Sequence, residues 1–350
     1  MLKHIKQLIH IRAREIEHKE HNLFYLFWEC TQRCNLSCLH CGSDCISDSQ
    51  YKDMPKEDFI RVLDEINKYE HEPTTVIITG GEPLLRKDLE DCGFEIRKRG
   101  FRWGIVSNGY AYTKERHISL LNAGMGSITL SIDGLHETHN WLRNSPKSFD
   151  RVINALQLIS SSERLTSDVV TCVNKRNIHQ LEDIYQLIKN NGGKGWRLFT
   201  ITPIGRAKNS EEMAINSDEF EYLMKFIKKK RGIGELNVKF SCEGYVGKYE
   251  GEVSEGYFFC RAGINVASVL IDGSIGACPN INRSFVQGNI YHDNFMDIWN
   301  NKYQMYRDRA WTKTGKCANC KEYKYCKGNG LHYWTERKDE VLVCHNSFLK

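Results

Sequence analysis

Six strand-like runs alternate with helical stretches along the middle of this 350-residue chain, and that alternation limits its fold more than any other feature. The apolar, β-branched runs fall at 23–28, 75–79, 103–106, 127–132, 168–173 and 196–201. Asp53-Met54-Pro55-Lys56-Glu57 marks a helix start, with proline near the first turn. Phe59, Val62, Leu63 and Ile66 then follow at helical spacing. Further helical patterns lie near 113–122, 148–160, 177–190 and 217–230. Strand–helix alternation builds a parallel sheet with helices outside. Six units are two short of a closed eightfold barrel. The spacing therefore predicts an α/β chain built on an open, partial (β/α)6 TIM-like barrel.

In such barrels chemistry sits on loops at the carboxyl ends of the strands. The unusual sequences all fall there. Cys34-Asn35-Leu36-Ser37-Cys38-Leu39-His40-Cys41 follows the first run, and Gly80-Gly81-Glu82-Pro83 follows the second. Ser107-Asn108-Gly109, Ser131-Ile132-Asp133-Gly134, Val173-Asn174 and Pro203-Ile204-Gly205-Arg206-Ala207 follow the remaining four in turn.

Fourteen cysteines need a reason. The N-terminus has no long apolar core of a secretory signal, and no apolar run reaches membrane-spanning length. A cytoplasmic, reducing setting is expected, where clustered cysteines hold metals more often than disulfides. Cys34, Cys38 and Cys41 suit three corners of a cubane iron–sulfur cluster, leaving one iron open to a second molecule. A structural zinc site or three core cysteines are the plainer alternatives. The net charge of +5 is mild and dispersed, and Lys228-Lys229-Lys230-Arg231 ends a helical pattern where cations suit the dipole. Nucleic-acid binding is not expected. After about residue 232 glycine becomes frequent, long helices disappear and cysteines return. Three regions follow: a helical extension over 1–22, the barrel over 23–231 and a small cysteine-rich iron–sulfur domain over 232–350.

The cysteine run resembles the cluster motif of the radical S-adenosylmethionine (radical SAM) enzymes, with His40 in their aromatic position. Gly80-Gly81-Glu82-Pro83 resembles their GGEP motif, which binds the amino group of SAM. The resemblance implies a SAM-binding 4Fe–4S cluster on Cys34, Cys38 and Cys41. It implies SAM contacts from Gly80, Gly81, Glu82 and Pro83, and polar contacts from Ser107, Ser131 and Asp133. Arg143 would grip the SAM carboxylate, and the loop with Pro203 and Arg206 would meet the adenine. The implied chemistry is one-electron cleavage of SAM to methionine and a 5′-deoxyadenosyl radical, which takes a hydrogen atom from the substrate.

The C-terminal cysteines resemble the SPASM extension of that family, which carries two auxiliary 4Fe–4S clusters. By that resemblance Cys317, Cys320, Cys326 and Cys344 complete the outer cluster. The inner one would use Cys260, Cys278 and Cys242, because Gly330 stands where the family places a further cysteine. His332 or His345 would complete it, or one iron would stay open. One or two auxiliary clusters are therefore expected. Of the other cysteines, Cys92 lies in a helical pattern and reads as core. Cys30, Cys45 and Cys172 fall near the rim, where a thiol can return a hydrogen atom to a substrate radical.

The resemblance implies an oxygen-sensitive oxidoreductase that modifies a peptide or protein by crosslinking, epimerisation or oxidation. A relative acting on a small molecule or tetrapyrrole is the alternative, and a non-catalytic iron–sulfur electron carrier a remote one. A flavodoxin- or ferredoxin-type electron donor is expected. About 22 residues are too few for the winged-helix module many peptide-modifying relatives carry. The substrate is then presented by a separate protein, recognised by the two domains themselves, or lacks a leader.

Overall fold

The computed structural model describes residues 2–69, 74–241 and 244–349. Helix α1 (Leu2–Glu20) precedes strand β1 (Tyr25–Thr31). Helices α2 (Lys56–Ile66), α3 (Leu89–Lys98) and α4 (Lys114–Asn122) alternate with strands β2 (Thr75–Gly80), β3 (Arg102–Ser107) and β4 (Ser127–Ser131). Helices α5 (His136–Arg143) and α6 (Ser148–Ser160) lead to β5 (Thr166–Val173). Helix α7 (Leu181–Asn190) leads to β6 (Gly195–Thr200), followed by α8 (Ser217–Ile233). Strands β1 to β6 lie side by side in chain order and all run parallel. This is the mixed α/β, parallel-sheet architecture of a partial barrel, followed by a cysteine-rich lobe.

The C-terminal segment contributes to both ends of the same sheet. β7 (Asn237–Phe240) pairs parallel with β6, and β8 (Val266–Val269) pairs parallel with β1. β9 (Ser274–Gly276) and β10 (Gly288–Asn289) extend β8 antiparallel, and α9 (Phe295–Asn301) follows. β10 and β7 are the two edges of this ten-stranded sheet, so it stays open.

The core follows from the helical and strand periods. α2 buries Phe59, Ile60, Val62, Leu63 and Ile66, each worth about 1.5–3 kcal/mol of apolar burial. Trp28 of β1 stacks on Phe59 at 4.3 Å between ring centroids. Strand β1 runs three residues past the expected end at Trp28. Glu29 interrupts the apolar run in sequence. In the fold its carboxylate is buried and accepts from the Ile271 amide (2.9 Å) and from Arg283 (2.8 Å), so the strand continues through it.

Two charged segments depart from a simple solvated surface. Lys230, in the basic run, is buried with its ammonium on Glu182 (2.6 Å) and 3.9 Å from the Tyr185 ring centre. Helix α1 lies on the C-terminal lobe. Arg14 is buried and donates to the carbonyls of Tyr325 (2.7 Å) and Lys324 (3.0 Å), while Glu17 pairs with Arg261 and His18 stacks on Phe259. No helix among the described residues is long and apolar enough to cross a membrane.

Candidate active site

The loop after β1 is closed by a bridge between Arg33 and Ile46, with the Cys34 amide donating to the Ile46 carbonyl (2.9 Å). Inside it Cys34, Cys38 and Cys45 bury with Leu36, and Cys41 packs against them. Surrounding side chains hold the loop in place. Arg33 grips Asp53 through two nitrogens (3.0 and 2.5 Å), and Asp53 also accepts from Thr31 (2.6 Å). Arg206 donates to the carbonyls of Cys38 (2.7 Å) and Cys45 (3.2 Å) and to Asp44 (2.8 Å), while its own amide donates to the Cys41 carbonyl (3.1 Å). Arg206 was expected at the adenine. Its guanidinium is instead committed to the cysteine loop.

Donors also reach the sulfurs. Asn108 Nδ2 lies 3.8 Å from Cys34 Sγ, and Arg143 Nη1 lies 3.7 Å from Cys38 Sγ. Burial pushes the Cys34 thiol up to about 11. Burial also raises Cys38, against the pull of Arg143. Cys41 goes the other way, to about 5. A hydrogen bond from the Cys45 thiol is the main cause, burial opposes it, and the Cys45 amide and the Arg206 charge add to it.

The Gly80-Gly81-Glu82-Pro83 turn packs on this loop. The amides of Gly81 and Glu82 donate to the carbonyls of Thr31 (2.8 Å) and Arg33 (2.9 Å). A Cβ at Gly80, where φ is +140°, would collide with the Thr31 carbonyl oxygen, and one at Gly81 with that of Arg33. The glycines were expected to admit a ligand. The close approach they allow is that of the strand end to the cysteine loop. Glu82 is buried and already bonded: Oε1 accepts from Leu84 N (3.1 Å) and Ser107 Oγ (2.9 Å), Oε2 from Asn108 N (2.8 Å). Pro83 opens a short 3-10 turn and is buried.

On the far side α5 ends at Arg143, which donates from Nε to Asp133 Oδ2 (2.6 Å). Asp133 is fully buried, and its Oδ1 accepts from the Cys172 amide (2.8 Å). Burial alone would raise Asp133, but the charge of Arg143 holds it below the usual carboxylate range. His139 Nδ1 accepts from the Asp133 amide (3.1 Å), which leaves Nε2 to donate to Ser148 (3.0 Å). Burial, then Arg143, lowers His139 to about 3, so the ring is neutral. Asn177 donates to the carbonyls of Asp133 (2.8 Å) and Cys172 (2.9 Å). Arg143 was expected on a SAM carboxylate. It is already the partner of Asp133.

His40, Asp133 and Cys172 bring one ligand atom each to within 4.8 Å of one another. The Arg143 guanidinium on Asp133 opposes a bare cation there. The arrangement instead makes a polar wall for an organic ligand. His40 Nδ1 is buried with no hydrogen-bond partner, which costs about 1–3 kcal/mol unless a ligand fills the role. Ser131 ends β4 on the same rim. Pro203 lines a cavity of about 280 Å³ with Ile201, Ala207, Lys208 and Met213.

The three candidate hydrogen-donor thiols separate. Cys30 is fully buried in the main core and does not face the rim. Cys45 is buried against Cys41. Cys172 is half-buried beside His40 and Asp133 and is the one thiol of the three placed on the rim. Cys92 sits in α3, buried as expected.

In the C-terminal lobe Cys317, Cys320, Cys326 and Cys344 lie close enough for their charges to couple. The Asn329 amide lies 3.1 Å from Cys326 Sγ, and burial pushes that thiol up to about 12. Cys260 and Cys278 pack half-buried against the main core. Cys242 lies outside the described residues. His345 shares a hydrogen bond with Thr200 (3.0 Å) among Phe220, Phe240 and Tyr333, and burial places the neighbouring His332 at about 4. His345 was offered as a cluster ligand; its Nε2 bonds Thr200 at the end of β6, which leaves a ligand role to Nδ1 alone.

Sequence reasoning gave no role to Asn108, Asn177, His139 and Asn329. Asn108 directly follows β3 in the Ser107-Asn108-Gly109 loop, which was the available signal. The other three become visible only through their contacts.

A partial parallel barrel with a three-cysteine loop at the carboxyl end of β1 and a cysteine-rich lobe behind it defines a class of iron–sulfur enzymes that use SAM. Residues 28–188 match the radical SAM superfamily, and residues 260–321 match an iron–sulfur cluster-binding domain named SPASM. The chain belongs to the radical SAM superfamily and carries a SPASM domain, and a 4Fe–4S cluster, SAM and auxiliary clusters are its cofactors. It is 27% identical over 319 residues to the AdoMet-dependent heme synthase of Methanosarcina barkeri, covering 86% of this chain and 89% of that protein. It is 26% identical over 317 residues to the mycofactocin maturase MftC of Mycolicibacterium smegmatis, covering 87% and 76%. Among solved structures, anSMEcpe with bound AdoMet and Cp18Cys peptide superposes with a TM-score of 0.71 at 19% identity, covering 91% of this chain and 92% of that one. Streptococcus suis SuiB bound to S-adenosylmethionine gives 0.69 at 18%, covering 91% and 76%. At these identities the two structures establish the fold.

Proposed function

We propose that this enzyme cleaves SAM reductively and removes a hydrogen atom from a peptide or protein substrate. Cys34, Cys38 and Cys41 hold the SAM-binding cluster in this reading. They fit it: the three thiols share one anchored loop, two of them receive side-chain donors at sulfur, and His40, beside Asp133 and Cys172, keeps a buried Nδ1 without a hydrogen-bond partner. When bound, the cluster and SAM supply the electron and the 5′-deoxyadenosyl radical. The chain's own residues do the rest. Arg33, Arg206 and Glu82 fix the loop. Arg143 and Asp133 tie it to the ends of β4 and β5. His40 and Cys172 face the bound organic ligands.

The observation that carries this reading is the path from Cys38 through Arg143 and Asp133 to the Cys172 amide, which joins the cysteine loop and the rim into one rigid wall. A peptide or protein substrate is supported by the maturase relative and by the modest cavity beside Pro203. That cavity lies just under the roughly 300–1,000 Å³ that encloses a whole small-molecule ligand. It suits one side chain of a longer substrate laid across the open rim. Cys317, Cys320, Cys326 and Cys344 hold the outer auxiliary cluster, and Cys260 and Cys278 contribute to an inner one. A flavodoxin- or ferredoxin-type donor supplies electrons to a cytoplasmic, oxygen-sensitive enzyme, and a separate protein presents the substrate.

The heme synthase relatives favour a second reading, an iron-porphyrin substrate. Release of 5′-deoxyadenosine by the reduced holoenzyme separates the two. Peptides or proteins encoded beside this chain should raise release at least tenfold over the substrate-free rate and change mass, and iron-coproporphyrin should not. Stimulation by the porphyrin alone would reverse the assignment.

A further inference from the structure

A neutral side chain from a different strand end reaches the first sulfur of the cysteine run. Asn108 directly follows β3 and is buried, with 8% of its surface exposed. Its backbone amide donates to Glu82 Oε2 (2.8 Å), and its Oδ1 accepts from the Tyr110 amide (2.9 Å). The Gly109 amide tightens the same turn by donating to Ser107 Oγ (2.9 Å), with Gly109 in the left-handed region at φ +74°. On its other side Asn108 Nδ2 donates to Asn35 Oδ1 (2.9 Å) and to Cys34 Sγ (3.8 Å).

These contacts decide which way the carboxamide points. A backbone N–H needs an oxygen, so the Tyr110 amide takes Oδ1 and leaves the NH2 group on the cysteine side. That group has two hydrogens, one for Asn35 and one for the Cys34 sulfur. Sulfur is larger than oxygen, and hydrogen bonds to it are correspondingly longer. A carboxamide nitrogen has no lone pair to offer a metal, and the oxygen is taken by Tyr110. Asn108 is therefore a donor to a ligand and not a ligand itself. A hydrogen bond to a cluster sulfur stabilises the reduced, more negative form and raises the potential. We propose that Asn108 is a positioning residue for the SAM-binding cluster: its amide donates to the Cys34 sulfur, orients that ligand and makes the cluster easier to reduce. This rests on the reading of Cys34, Cys38 and Cys41 as the cluster's ligands.

The test is an anaerobic redox titration of the reconstituted holoenzyme followed by electron paramagnetic resonance. The cluster of interest is the one whose spectrum changes when SAM is added, which separates it from the auxiliary clusters. Asn108→Ser keeps an oxygen for the Tyr110 amide but is too short to reach the sulfur. It should keep its iron and its response to SAM. At a fixed applied potential its reduced-to-oxidised ratio should fall about threefold, a shift of about 28 mV to more negative values at 59 mV per tenfold for one electron. Asn108→Asp has the same shape and sets a charged acceptor where the donor stood. Its ratio should fall further, about tenfold or 59 mV. That order, with aspartate below serine, is not expected of a residue that only holds the turn. Titrations of both variants that coincide with wild type, or that shift to more positive values, would overturn the proposal. Loss of the SAM-responsive signal in both variants with auxiliary iron kept would also overturn it, by making Asn108 a structural part of the loop. If the underlying ligand reading were at fault instead, the unmodified enzyme would itself show no SAM-responsive cluster.

Discussion

The cysteine loop after β1 and the cysteine-rich lobe hold their thiols by opposite means. In the loop, Cys34 and Cys38 are buried and tied to the barrel by Arg33, Arg143, Arg206 and the turn at Gly80 and Gly81. In the lobe, Cys317, Cys320, Cys326 and Cys344 are half-exposed and sit on single turns such as Gly315–Cys317 and Tyr323–Cys326. Short turns with few apolar contacts open easily. The loop is thus preorganised by packing, whereas the lobe leans on its metal, as small metal domains do.

Replacing Cys317, Cys320, Cys326 and Cys344 together with alanine should have the largest effect on this contrast. Amide hydrogen exchange should accelerate at least about 100-fold over residues 315–345, about 2.8 kcal/mol at 1.4 kcal/mol per tenfold. Strands β1 to β6 should keep their protection. Equal loss in the barrel would erase the distinction between the two regions.

Arg143→Ala tests the packed side. Removing one partner of a buried pair costs about 3–5 kcal/mol, measured by urea unfolding of the metal-free protein. The pH dependence should also invert. In the wild type Asp133 is held below its ordinary value, so the pair's stability is present above about pH 4 and lost as pH falls through the folded value. Without Arg143 burial dominates and raises Asp133, so the variant should gain stability on acidification from pH 7 toward 5. A variant that keeps the wild-type profile would mean that the pair does not carry the wall.

Glu82→Gln should cost less, about 1.5–3 kcal/mol, because an amide nitrogen would face the donors that the carboxylate now accepts. Thermal unfolding of the barrel reads it. The smallest effect is expected from Arg14→Ala, about 1–2 kcal/mol and confined to the lobe, since it frees only the Lys324 and Tyr325 carbonyls. Faster exchange at residues 323–327, with the SAM-induced spectral change intact, would bear that out.

The barrel was legible because strand and helix periods depend on local sequence. α2 and α8 begin at their capping signals, Pro55 and the Asn216–Glu219 capping box. The overrun of β1 was hidden because Glu29 reads as polar until its partners from 271 and 283 arrive. β7 and β8 were hidden for a similar reason: short strands are specified by the sheet edge they join. At the site, motif spacing located the residues but not their jobs. Gly80, Gly81, Arg143 and Arg206 point by resemblance toward SAM, whereas in the fold they brace the cysteine loop and its neighbours. Residue type reveals what a group can bond to, and only tertiary contacts reveal which partner has taken it. Helix α1 shows the same limit, since nothing near Arg14 in sequence indicates two carbonyls more than 300 residues away.

The most direct test of the account replaces Cys34, Cys38 and Cys41 together with alanine in the anaerobically reconstituted enzyme. The account predicts loss of about four irons, no SAM-responsive paramagnetic signal and no 5′-deoxyadenosine, with the auxiliary iron retained. A triple variant that still cleaves SAM would contradict it.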